Sequence, residues 1–137
     1  MFLGEFQHSL DDKGRIILPA RFRDELPSRV YLTGEIDGCL ALWNESEFTT
    51  KAEEMRDRLK GNRSDRDVAR AFFATAAQAE LTGQGRMVIP ANLRTFAGLE
   101  REVVVNGMFD HIEIWDAAAW RERRTHGERT LAEGDTE

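Results

Sequence analysis

The sequence is short of reactive groups. It has a single cysteine, Cys39, so no intrachain disulfide and no thiolate metal cage can form. Cys39 sits in the apolar run Cys39-Leu40-Ala41-Leu42 and reads as a packed small hydrophobe rather than a reactive thiol. His8, His111 and His126 are scattered, with no His-x-x-x-His pair or His/Asp cluster at ligand spacing. There is no P-loop and no dinucleotide fingerprint. Ser9, Ser28, Ser46 and Ser64 lie in no nucleophile elbow. The sequence thus reads as a non-enzyme, with no metal and no cofactor. Long hydrophobic runs are missing too: none approaches the roughly 20 residues that span a bilayer. Met1-Phe2-Leu3-Gly4-Glu5 does not read as a secretory leader, so the expected location is cytoplasmic, with no membrane partner. What remains, at 137 residues and 41% hydrophobic, is a chain of single-domain size able to bury a core.

An excess of positive charge is also lacking, since the formal net charge is −6. The charges are segregated, however, and net charge is a weak guide in that case. Lys13, Arg15, Arg21, Arg23 and Arg29 face only Asp24 and Glu25 over their stretch, while acid collects around Glu45 to Asp57 and in the tail from Glu128 to Glu137. A basic patch on an acidic body is compatible with a polyanionic partner if binding is helped by multiplicity.

What the chain does have is a repeat. Asp11-Asp12-Lys13-Gly14-Arg15-Ile16-Ile17-Leu18-Pro19-Ala20-Arg21-Phe22-Arg23 is echoed by Thr82-Gly83-Gln84-Gly85-Arg86-Met87-Val88-Ile89-Pro90-Ala91-Asn92-Leu93-Arg94, at a constant offset of 71 from Arg15 to Arg86. Downstream the offset is 73 at Gly34 and Gly107 and 72 at Trp43 and Trp115. Each copy predicts β-β-α-β-β. In the first, these are an imperfect strand around Phe2 to His8, a turn at Asp11–Gly14, a strand Arg15–Leu18, a helix Ala20–Leu26 opened by Pro19, and strands Val30–Thr33 and Leu40–Trp43. The Asp-x-x-Gly turn between the first two strands is a hairpin signal. The second copy predicts strands Ala79–Leu81 and Arg86–Ile89, a helix Pro90–Ala97 stopped by Gly98, and strands Val103–Asn106 and Ile112–Trp115. A unit of this size often cannot bury its apolar face alone, and its twin supplies the missing cover.

The copies are placed at residues 5–47 and 76–119, joined by a helical connector, 48–75. One connector helix carries the stripe Phe48, Ala52, Met55 and Leu59 and ends at Gly61-Asn62. A second opens at a Ser64–Asp67 capping box with Val68, Ala71, Phe72, Thr75 and Ala76 on one face. Residues 120–137 are expected to be a helix end, begun at Asp116, and an acidic tail disordered from Gly127.

Arg15 and Arg86 each follow a glycine at the head of an apolar strand, so each projects from a tight turn without backbone obstruction. A two-stranded ribbon or loop fits the major groove, where arginine forms bidentate bonds to guanine. Lys13, Arg21, Arg23 and Arg94 are candidates for phosphate contacts. The plainer reading makes Arg15 and Arg86 surface hairpin ends, paired in the first copy with Asp11 or Asp12.

The doubled pattern resembles the MraZ family, whose repeats belong to the SpoVT/AbrB class. The matching residues are Met1-Phe2-Leu3-Gly4, Asp11-x-Lys13-Gly14-Arg15 with Pro19 and Phe22-Arg23, Gly85-Arg86 with Pro90 and Leu93-Arg94, and Phe109 to Asp116, covering Met1 to about Trp120. The resemblance implies an α+β fold in which the two AbrB-like repeats form one swapped-hairpin, pseudo-twofold barrel. It implies self-assembly into a ring and nucleoid-associated repression of the division and cell-wall gene cluster through short tandem DNA repeats upstream of it. It also implies a DNA-binding Asp-x-x-x-Arg signature, here Asp11 and Arg15. In the second copy Thr82 and Gln84 replace the Asp and Lys, so the first copy is expected to contribute more affinity. Phe48, Met55, Phe72 and Phe73 are candidates for intersubunit packing, with packing inside one chain equally open. The rival function is a protein-interaction or scaffold ring of the same barrel class, which has no need of paired glycine-arginine turns.

Overall fold

The alternation of apolar and polar residues in each copy becomes a run of short strands whose partners lie mostly in the opposite copy. The computed structural model describes residues 1–134. Its elements are β1 (Phe2–Ser9), β2 (Arg15–Ile17), α1 (Ala20–Arg23), β3 (Arg29–Gly34), β4 (Leu40–Trp43), α2 (Glu45–Asp57), α3 (Arg63–Thr75), β5 (Ala77–Glu80), β6 (Arg86–Val88), α4 (Ala91–Phe96), β7 (Glu102–Phe109), β8 (Ile112–Asp116) and α5 (Ala117–Glu133). The fold is α+β, and the strand pairings are antiparallel.

Six strands form one sheet in the order β1-β7-β8-β4-β3-β5, and β2 pairs with β6 in a separate ribbon. Exchanging the two copies reverses the six-strand order and leaves the ribbon unchanged. The register carries the same relation. Ile16 pairs with Met87 and Ala41 with Glu113, and each pair joins equivalent positions of the two copies. The anticipated β1–β2 hairpin does not form. β1 runs along β7 from Phe2↔Phe109 to Ser9↔Glu102, and β2 leaves the Asp11–Gly14 turn to meet β6. The turn closes locally as expected, but the eight-residue ladder with β7 captures β1.

The core lies between the inner face of the sheet and the ribbon. Phe22, Val30, Leu32, Leu40, Leu42, Ile89, Val105, Ile112 and Ile114 are fully buried there, each worth roughly 1.5–3 kcal/mol of burial. Phe22, on the one turn of α1, packs edge-on against Phe2 and Phe6. α1 stops at Arg23 rather than Leu26, and the chain tightens there into turns closed by Glu25 N–H to Phe22 O and Leu26 N–H to Arg23 O.

The connector helices differ in detail from the sequence reading. α3 is capped by Asn62 and Asp65 in a reciprocal box, two residues before the expected Ser64–Asp67 box. Its buried residues are Ala69 and Phe72, while Val68 and Ala71 face outward. Phe48 stacks on Tyr31 with centroids 4.5 Å apart and lies near Phe72, and Met55 is buried. These three candidates for intersubunit contact therefore pack within the chain, while Phe73 remains 41% exposed. The tail expected to be disordered from Gly127 is helical to Glu133. The Asp116 side chain caps the helix by accepting from Ala119 N–H, and Arg124 pairs with Glu128 one turn on, which offsets the helix-weakening glycine. Residues 135–137 of that tail lie outside the described residues.

Candidate nucleic-acid interface

Each copy builds the same turn by different chemistry. In the first, Asp11 O accepts from Gly14 N–H and Asp11 N–H donates to Arg15 O. The Asp11 carboxylate adds bonds from the N–H groups of Lys13 and Arg15, both at 2.9 Å. The same carboxylate holds Arg15 Nε at 2.6 Å. The backbone N–H of Arg15, then its guanidinium and the N–H of Lys13, hold the Asp11 carboxyl down at about 2. In the second copy Thr82 Oγ1 accepts from Arg86 N–H at 3.0 Å, while Thr82 O accepts from Gly85 N–H. Threonine thus completes the turn but supplies no charge, and among the described residues the Arg86 guanidinium has no hydrogen-bonding or ionic partner. Gly14 and Gly85 take φ of +77° and +81°, a region glycine enters without steric cost.

The two turns are tied across the pseudo-twofold. Leu18 N–H donates to Gly85 O at 2.8 Å, and Ile89 N–H donates to Gly14 O at 2.9 Å. Between them Arg15 stands opposite Val88 and Ile17 opposite Arg86. Ile16 and Met87 point into the core at 1% and 2% exposure, so alternation turns Arg15, Ile17, Arg86 and Val88 outward together. Diagonal neighbours on such a ribbon lie about 7–8 Å apart, which sets the spacing of the two arginines.

The other sequence-nominated cations are disposed differently. Lys13 is exposed in the first turn. Arg23 reaches from α1 to the second turn, donating to Gln84 O beside Gly85. Arg94 does the reverse from α4, lying against Gly14 while donating to Ile89 O. Arg21 stands apart, its guanidinium 5.9 Å from the Phe6 ring centroid. Asp11, Lys13, Arg15, Arg23, Arg86 and Arg94 thus gather at the ribbon and its turns, and Arg21 does not. The bracing by Arg23 and Arg94 was not foreseen. Their shared offset of 71 marks them as equivalent positions, but only the crossed pairing of strands reveals what they brace.

A second polar cluster sits on the outer face of the sheet. His111 stacks on Trp43 with centroids 4.4 Å apart, places Nδ1 2.6 Å from Asp110 and lies 3.6 Å from Glu113 through Nε2. Burial pulls the imidazole down, but Glu113 and Asp110 outweigh it and hold the group above its ordinary value. Burial, with Glu113 and Glu35 nearby, pushes the Cys39 thiol up, consistent with a packed residue rather than a nucleophile. Among the described residues no three His, Cys, Asp or Glu side chains converge to hold a metal ion. No described helix is long and apolar enough to cross a membrane. Beside the Gly34–Ile36 turn, α2, α3 and α4 border a groove of about 650 Å³ lined by Ile36, Met55, Val68, Phe72 and Phe96.

The sequence model of one family, described as "MraZ protein, putative antitoxin-like", matches residues 1–70 and 72–133. Curated relatives agree. The Transcriptional regulator MraZ of Frankia alni is 44% identical over 97% of this chain and 93% of its own length. Its namesake in Kocuria rhizophila is 42% identical over 100% of this chain and 96% of its own. That of Pediococcus pentosaceus is 42% identical over 89% and 85%.

Proposed function

The chain belongs to the MraZ family, and from that premise we propose that it is a transcriptional regulator that binds DNA sequence-specifically through the β2–β6 ribbon. The observation that carries this reading is the outward pair Arg15 and Arg86 on a two-stranded ribbon, diagonal across a pseudo-twofold axis. A ribbon of this kind is narrow enough for the major groove, where arginine distinguishes guanine by a bidentate bond. The order β1-β7-β8-β4-β3-β5, which exchange of the copies simply reverses, supports the swapped-hairpin barrel of the SpoVT/AbrB class. Lys13 supplies phosphate attraction. Arg23 and Arg94 serve chiefly to fix the turns, and Arg21, carried by α1 with its guanidinium at the Phe6 ring, is left outside the groove contact.

The regulator represses the division and cell-wall cluster by occupying short tandem repeats, as the family resemblance implies, in a ring of like subunits. The net charge of −6 makes a single protomer a weak polyanion ligand, and linked protomers raise affinity by about 10²–10⁴ through effective concentration. Exposed apolar side chains on different parts of the surface, Ile36 and Phe96 by the groove and Leu3 and Phe109 at the β1–β7 end, support assembly. The groove also gives the rival interaction-module reading its one specific support.

Binding of Arg15→Ala to promoter DNA, measured by gel shift with fold and assembly checked, tests the assignment. Loss of sequence-specific binding is expected, and unchanged affinity would refute the contact.

A further inference from the structure

Ile17 and Val88 are β-branched aliphatics left 46% and 50% exposed on the face that presents Arg15 and Arg86. Their neighbours Ile16 and Met87 are buried, so the ribbon is not short of inward apolar surface. The four outward side chains form a square: Arg15 beside Val88, and Arg86 beside Ile17. Arginines occupy one diagonal and aliphatics the other, with each aliphatic belonging to the opposite copy from the arginine it adjoins.

We infer that Ile17 and Val88 are specificity-determining residues that read the thymine methyl group in the major groove. The inference rests on the DNA-binding role proposed above. It follows from what a duplex offers there. Base edges in the major groove carry polar donors and acceptors and one apolar group, the C5-methyl of thymine. An aliphatic side chain held among arginines has no other apolar surface to bury on that partner. Charge selects the partner: Arg86 is unpaired among the described residues, and the exposed Lys13 lies two residues from Arg15 in the same turn. Directly opposite residues on a ribbon lie about 4.5–5.5 Å apart between Cβ atoms, against about 3.4 Å between successive bases on a strand. Each Arg–aliphatic pair therefore reads a guanine and a thymine on adjoining base pairs. The pseudo-twofold presents two such pairs in inverted order.

The test uses the duplex recovered from random DNA by selection on the full-length chain, resynthesised with deoxyuridine replacing thymidine, which removes only the methyl groups. Wild-type protein should bind the deoxyuridine duplex about fourfold less tightly for each methyl buried. Ile17→Ala and Val88→Ala should each lose most of that discrimination at one thymine position while still binding. Equal wild-type affinity for both duplexes, or a loss of the same size in wild type and both variants, would overturn the inference and leave DNA binding standing. Unchanged affinity with a fall in the mass of the assembly would overturn it in favour of a contact between copies. Failure of the selection to recover any sequence would refute the DNA-binding reading itself.

Discussion

Arg23, carried by the first copy, donates from Nη1 to the carbonyl oxygen of Gln84 in the turn of the second. Its equivalent, Arg94, lies against Gly14 in the turn of the first. Each arginine-bearing turn is thus buttressed by a guanidinium from the other copy, close over a glycine. In the DNA-binding role proposed for the ribbon this bracing has a functional consequence, because a base-reading side chain must be held within a fraction of an ångström. Each half braces the turn that carries the other's arginine.

The glycines are the sensitive points of this brace. At Gly14, φ of +77° makes any side chain strained, and a Cβ would overlap the Arg94 guanidinium. Gly14→Ala should lower unfolding free energy by about 1–3 kcal/mol in urea denaturation. It should also weaken DNA binding beyond what that loss explains, because Arg94 must swing away.

Gly127 is the contrasting case. It lies inside α5, and a Cβ there meets nothing within 4 Å. Gly127→Ala should favour the helix by about 0.5–1 kcal/mol. Because α5 beyond Arg124 is exposed, the gain should appear as slower amide exchange in α5 with global stability little changed.

The two sites should not be equal. Arg15 is pre-positioned by the Asp11 carboxylate, whereas Arg86 must lose rotamer freedom on binding. Arg15→Ala should therefore reduce affinity more than Arg86→Ala. Asp11→Asn should narrow that difference, since an amide caps the turn more weakly and cannot form the ion pair. Titration of the three variants against one duplex at fixed salt gives the comparison, and an equal or larger loss with Arg86→Ala would contradict the asymmetry.

The repeat made much of this legible. Gly, Arg, the apolar triplet and Pro-Ala at one offset locate both turns, both ribbon strands and the helices after them. What it could not convey was partnership. The Asp-x-x-Gly signal at Asp11–Gly14 describes a turn correctly, but a turn does not dictate that its flanking strands pair with each other. β7 offers β1 a longer ladder than β2 can. Ile17 and Val88 were hidden for a related reason: an apolar triplet reads as wholly interior until the ribbon is known to have one face outward. The tail misled because composition weighs polarity but not capping, and Asp116 with the Arg124–Glu128 pair is enough to hold a helix.

His111 should make stability depend on pH. Its value is raised in the fold, so its contribution is fully present below the ordinary histidine value of about 6.5. That contribution is lost as pH rises through the folded value. His8 works the other way, since burial lowers it and its charging disfavours the fold as pH falls. The two trends oppose each other in the wild-type profile, and substitution separates them. His111→Phe keeps an aromatic ring against Trp43 but removes the charge facing Asp110 and Glu113. The stability advantage of wild type over this variant should be largest near pH 5.5 and shrink by pH 8.5 in denaturant titrations. A difference that stays constant across that range would mean the imidazole acts here by packing alone.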